Sequence, residues 1–201
     1  MHTLLLATNN AGKIQEYMSL LKGIPFEIVT PFDMGITTLV EENGDTYEEN
    51  ARIKACTLAK ESHLLKLADD SGLEVDALNG EPGVMSARYA GEGASDADRV
   101  KFLLDKLKNV PEKKRTARFR CVIALAEPDG NVEFYDGECK GIITFAPRGE
   151  NGFGYDPIFY FPELGKTMAE LSFEVKNRIS HRSKAAQKAR LKLHKIAAAG
   201  C

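Results

Sequence analysis

The apolar positions of this chain switch repeatedly between two periods. Leu4-Leu5-Leu6-Ala7 is a short continuous apolar run that predicts a buried strand, and Ile14, Tyr17, Met18 and Leu21 then recur at helical spacing. Between them lies the polar stretch Thr8-Asn9-Asn10-Ala11-Gly12-Lys13, giving strand, loop, helix. Gly23 ends that helix, and Phe26-Glu27-Ile28-Val29 reads as a second strand closed by Pro31. Thr46 with Glu49 three residues on is a capping-box signature for a helix carrying Asn50 and Lys54 on one face. The run Leu64, Leu65, Leu67 and Ala68 predicts a strand that stops at Asp69-Asp70-Ser71-Gly72, with strand resuming over residues 73–78.

Asn79-Gly80-Glu81-Pro82-Gly83 is a strong turn signal, and residues 84–91 show no clear period, which fits a loop or short helix. Ser95 with Asp98 caps a helix whose Val100, Leu103, Leu104 and Leu107 form one apolar stripe, ending before Pro111. Residues 116–126 alternate, and Asp129-Gly130 turns them back into residues 132–139, a β-hairpin followed by a further strand over 141–145. Beyond the apolar Ile158-Phe159-Tyr160-Phe161, Thr167 and Glu170 form another capping box. Leu171, Phe173 and Val175 are buried candidates, and Ser183 is placed to cap a closing helix over 184–198. Strands alternating with helices predict an α/β fold.

Composition narrows the function classes. At 201 residues the chain suits one large domain or two closely joined lobes, and 43% hydrophobic with 28% charged residues is a globular balance that excludes disorder. A net charge of −2 gives no global pull toward nucleic acid or an acidic membrane. Cys56, Cys121, Cys139 and Cys201 lack metal-ligand spacing, so neither a zinc site nor a disulfide framework is indicated and a reducing cytoplasm is expected. The opening apolar run is too short for a signal peptide or a membrane span.

Five stretches carry candidate chemistry. Acids at the end of a strand, Asp69 and Asp70, can hold a hard cation, although Asp, Ser and Gly are also the commonest turn formers. Thr8 to Lys13, at a helix N-terminus, can cradle phosphates, although Thr and Asn are also good caps. Glu41, Glu42, Asp45, Glu48 and Glu49 precede or open a helix, where most are solvated and one or two can add a carboxylate to the metal site. Asn50 and Lys54 behind them read first as an exposed polar pair. Gly152-Phe153-Gly154-Tyr155-Asp156-Pro157 offers free backbone and aromatic rings for stacking on a base, or a hairpin loop whose rings join the core. Finally, no acid follows Glu174, so Lys176, Arg178, His181, Arg182, Lys184, Lys188, Arg190, Lys192 and Lys195 make a cationic end suited to polyphosphate or to a nucleic-acid backbone.

Taken in order, Thr8 to Lys13, Glu49-Asn50-Ala51 with Lys54-Ala55, Ala68-Asp69-Asp70-Ser71-Gly72-Leu73, Gly83 to Tyr89, Gly152 to Pro157, Lys166 to Leu171 and Ser180-His181-Arg182 closely resemble the inosine triphosphate pyrophosphatase family. The resemblance spans nearly the whole chain as a single domain; only residues 197–201 lie outside it. It implies a mixed, twisted β-sheet flanked by helices, in two lobes with the active-site cleft between them. It also implies Mg²⁺-dependent hydrolysis of ITP, dITP and XTP to the monophosphate and pyrophosphate by a cytoplasmic homodimer without nucleic-acid or membrane partners. Carried over position by position, Thr8, Asn9, Asn10, Ala11, Gly12 and Lys13 hold the triphosphate. Glu42 and Asp70 hold the metal, and Asp70 accepts the proton of the attacking water, with Lys54 beside it. Ser71, Phe153, Gly154, Tyr155, Asp156, Lys176, His181 and Arg182 contact the nucleotide. The alternatives are a pyrophosphatase for modified pyrimidine nucleotides and an RNA-binding module built on the basic C-terminal helix.

Overall fold

The structure, a computed structural model, describes residues 2–38, 40–62 and 64–199. Its strands are His2–Leu6 (β1), Phe26–Val29 (β2), Leu65–Val75 (β3), Thr116–Ala126 (β4), Val132–Ile143 (β5), Phe159–Phe161 (β6) and Lys166–Thr167 (β7). The helices are Ala11–Leu20 (α1), Tyr47–Ser62 (α2), Asp96–Lys106 (α3), Phe173–Ile179 (α4) and His181–Ala199 (α5). One seven-stranded sheet runs in the order β2-β1-β3-β4-β5-β6-β7. β1 lies parallel to β2 and β3, while β6 lies antiparallel to β5 and β7, so the sheet is mixed, as an α/β reading requires.

The chain divides into two compact units. The first comprises Met1–Asp70, Cys121–Gly137 and Arg182–Cys201, the second Ser71–Arg120 and Glu138–His181. In the first, Leu4, Leu6, Leu67, Ile123 and Leu125 from the strands pack with Tyr17 and Leu21 and with a stripe of α5, Ala185, Ala186, Ala189, Leu193 and Ala197. Alanine at helical spacing lets α5 approach its neighbours closely. In the second, Leu73 and Val75 pack with Val100, Leu103 and Leu107 of the α3 segment and with Phe119, Ile158, Phe159 and Met168.

Several boundaries differ from the sequence expectation. β3 does not stop at Asp69 but runs unbroken to Val75. Its place beside β4 in the sheet overrides the poor strand propensity of Asp-Asp-Ser-Gly. β1 ends at Leu6, opposite Leu67, so Asp69 and Asp70 lie in β3 beyond the carboxyl end of its neighbour. The expected strand at 141–145 is the continuation of β5. A Cβ at Gly141 would stand 2.6 Å from the Tyr160 carbonyl, so the glycine marks a close approach of β6 rather than a break. α5 begins at His181, with Ser180 extended ahead of it, and Ser183 is buried within the first turn instead of capping it. Phe173 and Val175 are only half-buried, while Lys176, the next residue of α4, is buried. On α1 Met18 is exposed, and the inward position beside Tyr17 belongs to Glu16.

Candidate active site

In the first unit, the loop after β1 leads directly into α1. Asn10 is its N-cap, accepting from the Lys13 amide at 2.9 Å, and the Thr8 hydroxyl accepts from the Asn10 amide at 3.2 Å. Ala11, Gly12 and Lys13 therefore form the first turn of α1 and are not loop, as the sequence suggested. The amides of Ala11 and Gly12, which have no acceptor within the helix, and the positive end of the helix suit an anion. The Lys13 ammonium reaches back to Asp69 Oδ1 at 3.0 Å. Asp69 Oδ2 in turn accepts from Nε and Nη2 of Arg182, both at 3.2 Å, and Arg182 Nη1 donates to Glu16 Oε2 at 2.7 Å. Burial alone would raise the Asp69 carboxyl, but Lys13, Arg182 and Lys54 outweigh it and hold it well below the usual carboxylate range. The Cys121 thiol, 3.6 Å from Asp69, is pushed up to about 12 by burial and by that negative charge.

A second cluster stands on the next residue of β3. Lys54 Nζ lies 2.9 Å from Asp70 Oδ1 and 3.3 Å from Glu42 Oε2, so two carboxylates converge on one cation. Asn50 Nδ2 donates to Asp70 Oδ2 at 3.3 Å, while its Oδ1 accepts from the Gly44 amide at 2.8 Å. Asn50 thus pins the loop that carries Glu42 to the strand that carries Asp70. Gly44 is required there, because a Cβ would fall 2.7 Å from Glu49 Cβ and 2.9 Å from Asn50 Oδ1. Burial lowers the Lys54 ammonium, but Asp70, Asp69 and Glu42 more than compensate and raise it. The Asp70 carboxyl is raised by burial, against the opposing pull of Lys54. Asn50 and Lys54 are both buried, which overturns their reading as an exposed pair.

In the second unit, the glycine-rich loop is organised by Asp156. Its Oδ2 accepts from the Phe153 amide at 3.0 Å and from Lys176 Nζ. The same ammonium sits 4.7 Å from the Phe153 ring centroid. Gly152 takes φ +78, and a Cβ on it would collide with the Asp156 carboxylate. Tyr155 is buried and donates to the Ser86 carbonyl at 2.9 Å, so of the two aromatics Phe153 is the one left for stacking. His181 stacks on Phe119 with centroids 4.7 Å apart and planes 11° from parallel, and its Nδ1 stands 3.9 Å from Cys139 Sγ.

The chain as a whole is similar to known proteins. The Ham1 family matches residues 4–192. The chain belongs to the Ham1 family. It is 53% identical over 186 residues to a dITP/XTP pyrophosphatase of Desulforamulus reducens, covering 92% of each chain. It is 51% identical over 185 residues to one of Geobacter sulfurreducens, covering 92% of this chain and 93% of the other. The Ham1 protein of Staphylococcus aureus is 44% identical and superposes with a TM-score of 0.86 over 96% of this chain and 98% of its own. The Ham1 protein of Coxiella burnetii is 42% identical, with a TM-score of 0.88 over 97% and 100%.

Within this Ham1 fold the expected site residues fall into two sets. Thr8 to Lys13, Glu42, Lys54, Asp70 and Arg182 belong to the first unit, and Ser71, Phe153 to Asp156, Lys176 and His181 to the second. The buried guanidinium of Arg182 is turned to Asp69 and Glu16, which makes it an anchor for the acid beside Lys13. The sequence reading gave no role to Glu16, Asn50 as a bridge, or Cys121. Glu16 carried a signal, being an acid at a helix position flanked by core residues. Among the described residues no three His, Cys, Asp or Glu side chains converge as a metal cage, and no helix is long and apolar enough to cross a membrane. The cationic end is partly neutralised, with Lys188 on Asp136 and Lys192 on Glu127 and Glu133.

Proposed function

We propose that this protein is a nucleoside-triphosphate pyrophosphatase that removes deaminated purine nucleotides, ITP, dITP and XTP, by cleavage to the monophosphate and pyrophosphate. The observation that carries the reading is the pairing of Lys13 on Asp69 with Lys54 between Asp70 and Glu42, at the N-terminus of α1. That arrangement presents two cations and helix N–H groups for a polyphosphate, beside a carboxylate raised by burial that can accept a proton from water. Relatives at about half identity over nine-tenths of the chain carry the name dITP/XTP pyrophosphatase, which supports dITP and XTP among these substrates.

Mg²⁺ fits the donor set. Glu42 and Asp70 are hard oxygen donors already converging on one positive charge, and two carboxylates suit an ion that takes its other ligands from phosphate and water. When bound, the ion would neutralise phosphate charge and polarise the scissile linkage. The chain's own residues do the rest. Asp70 orients the attacking water and takes its proton, Lys54 holds Asp70 ionised, and Lys13 with the first turn of α1 neutralises the phosphates. Phe153 stacks on the base, with Lys176 and Asp156 fixing its loop and His181 presented from the start of α5. An N–H donor aimed at the 6-keto oxygen would meet the amino group of adenine instead and lose its hydrogen bond, at about 1–3 kcal/mol. Within this reading the enzyme acts in the cytoplasm as a homodimer. The absence of disulfides among the described cysteines suits that compartment.

The test is pyrophosphate release from ITP, dITP, XTP, ATP, GTP, dGTP, CTP and dTTP, with Mg²⁺ and with chelator. Release confined to the inosine and xanthine nucleotides and dependent on Mg²⁺ is expected. Orthophosphate as product, or equal rates on every nucleotide, would sink the reading.

A further inference from the structure

The loop at 152–156 is held from the second unit by residues to which the nucleotide reading gives no role. The Gly154 amide donates to Asp96 Oδ2 at 2.6 Å, and the next residue, Tyr155, donates to the Ser86 carbonyl at 2.9 Å. Asp96 is the first residue of α3, and its other oxygen is clamped by Arg99. The same guanidinium donates to the carbonyls of Ala87, at 3.1 Å, and Ala94. Arg99 therefore links the turn that receives Tyr155 to the carboxylate that receives Gly154. On its Cβ side Gly154 faces open space, since apart from its chain neighbours no heavy atom lies within 4 Å of a Cβ built there. A mainly apolar pocket of about 460 Å³, lined by Val100, Leu104, Pro147 and Pro157 together with Asp96 and Gly154, opens beside it. Without the hydrogen bond the loop has room to shift.

We infer that Asp96, oriented by Arg99, is a positioning residue for base recognition: it fixes the backbone of Gly154 and thereby the stance of the Phe153 ring. Asp96 and Asp156 hold two successive amides of the loop, Gly154 and Phe153, so each acid sets one end of the aromatic residue's backbone. The inference rests on the nucleotide reading for its consequence, discrimination between bases, and on geometry alone for its cause.

The experiment compares wild type, Asp96→Ala and Asp96→Asn with dITP and dATP, alongside peptide-level amide exchange over residues 151–158. Asp96→Ala is expected to raise KM for dITP roughly tenfold, to leave kcat within about twofold and to narrow the preference for dITP over dATP. Asp96→Asn keeps an acceptor oxygen and recovers most of KM and selectivity. Exchange in the loop peptide rises in the alanine variant and returns toward wild type in the asparagine variant. The Ser95 and Asp98 capping box remains in both variants to hold α3, checked by circular dichroism. Unchanged KM and selectivity in an active Asp96→Ala enzyme would overturn the inference alone. A wild type inactive on dITP would remove the nucleotide reading and the selectivity claim with it. Loop exchange unaltered by Asp96→Ala would refute the positioning claim whatever the activity.

Discussion

Asp69 and Asp70 are neighbours in β3 with opposite employment. Asp70 meets Lys54 and Asn50, and its carboxyl, raised by burial, is suited to take a proton. Asp70→Asn should lower pyrophosphate release by at least roughly a thousandfold while leaving the circular dichroism spectrum intact, since the amide keeps the shape and loses the base. Asp69 is instead a counter-ion for two buried or half-buried cations. Asp69→Asn leaves Arg182 and Lys13 facing a neutral group and should destabilise the fold by roughly 3–5 kcal/mol, read as a lower denaturant midpoint. The pH dependence follows from the same pairing. The folded-state pKa of Asp69 lies below the unfolded value of about 3.9, so its stabilisation is complete above about pH 4 and is lost as pH falls through the folded value. Melting temperatures of the wild type should therefore fall below about pH 4, and the Asp69→Asn variant should lose part of that dependence.

At the scale of elements, legibility followed periodicity. β2, β4 and α3 stood in the sequence at nearly their observed bounds, because alternation and a Ser95–Asp98 capping box are local signals. β3 and β5 were each read as two strands. Asp69-Asp70-Ser71-Gly72 and Gly141 look like breaks locally, and only partners distant in sequence keep the strands running. The acids, the phosphate loop and the aromatic loop were visible as motifs, whereas the bonds of Arg182 to Glu16, 166 positions away, were not. Loop 152–156 shows the same dependence on a partner. Gly152→Ala would place a methyl group against Asp156 at a positive φ, costing about 1–3 kcal/mol locally. The expected outcome is a raised KM for dITP with little change in the midpoint of global unfolding, measured by steady-state kinetics and urea titration.

For the whole molecule, the informative feature is where the chain passes from one unit to the other. It does so at Asp70/Ser71, Arg120/Cys121, Gly137/Glu138 and His181/Arg182, inside β3, β4, β5 and the first turn of α5. No crossing is a flexible linker, so limited proteolysis should not release either unit as a discrete fragment. Trypsin digestion followed by intact-mass analysis would check this, and a stable fragment matching one unit would contradict it. Two of the crossings fall between chain neighbours that are both expected site residues, Asp70 before Ser71 and His181 before Arg182. Such junctions admit no change of length. Adding or removing one residue there would turn every later side chain of the strand to the opposite face, or rotate the helix by about 100° per residue. A deletion scan of this protein should find the Asp129-Gly130 turn tolerant and no tolerated position from Asp69 to Gly72.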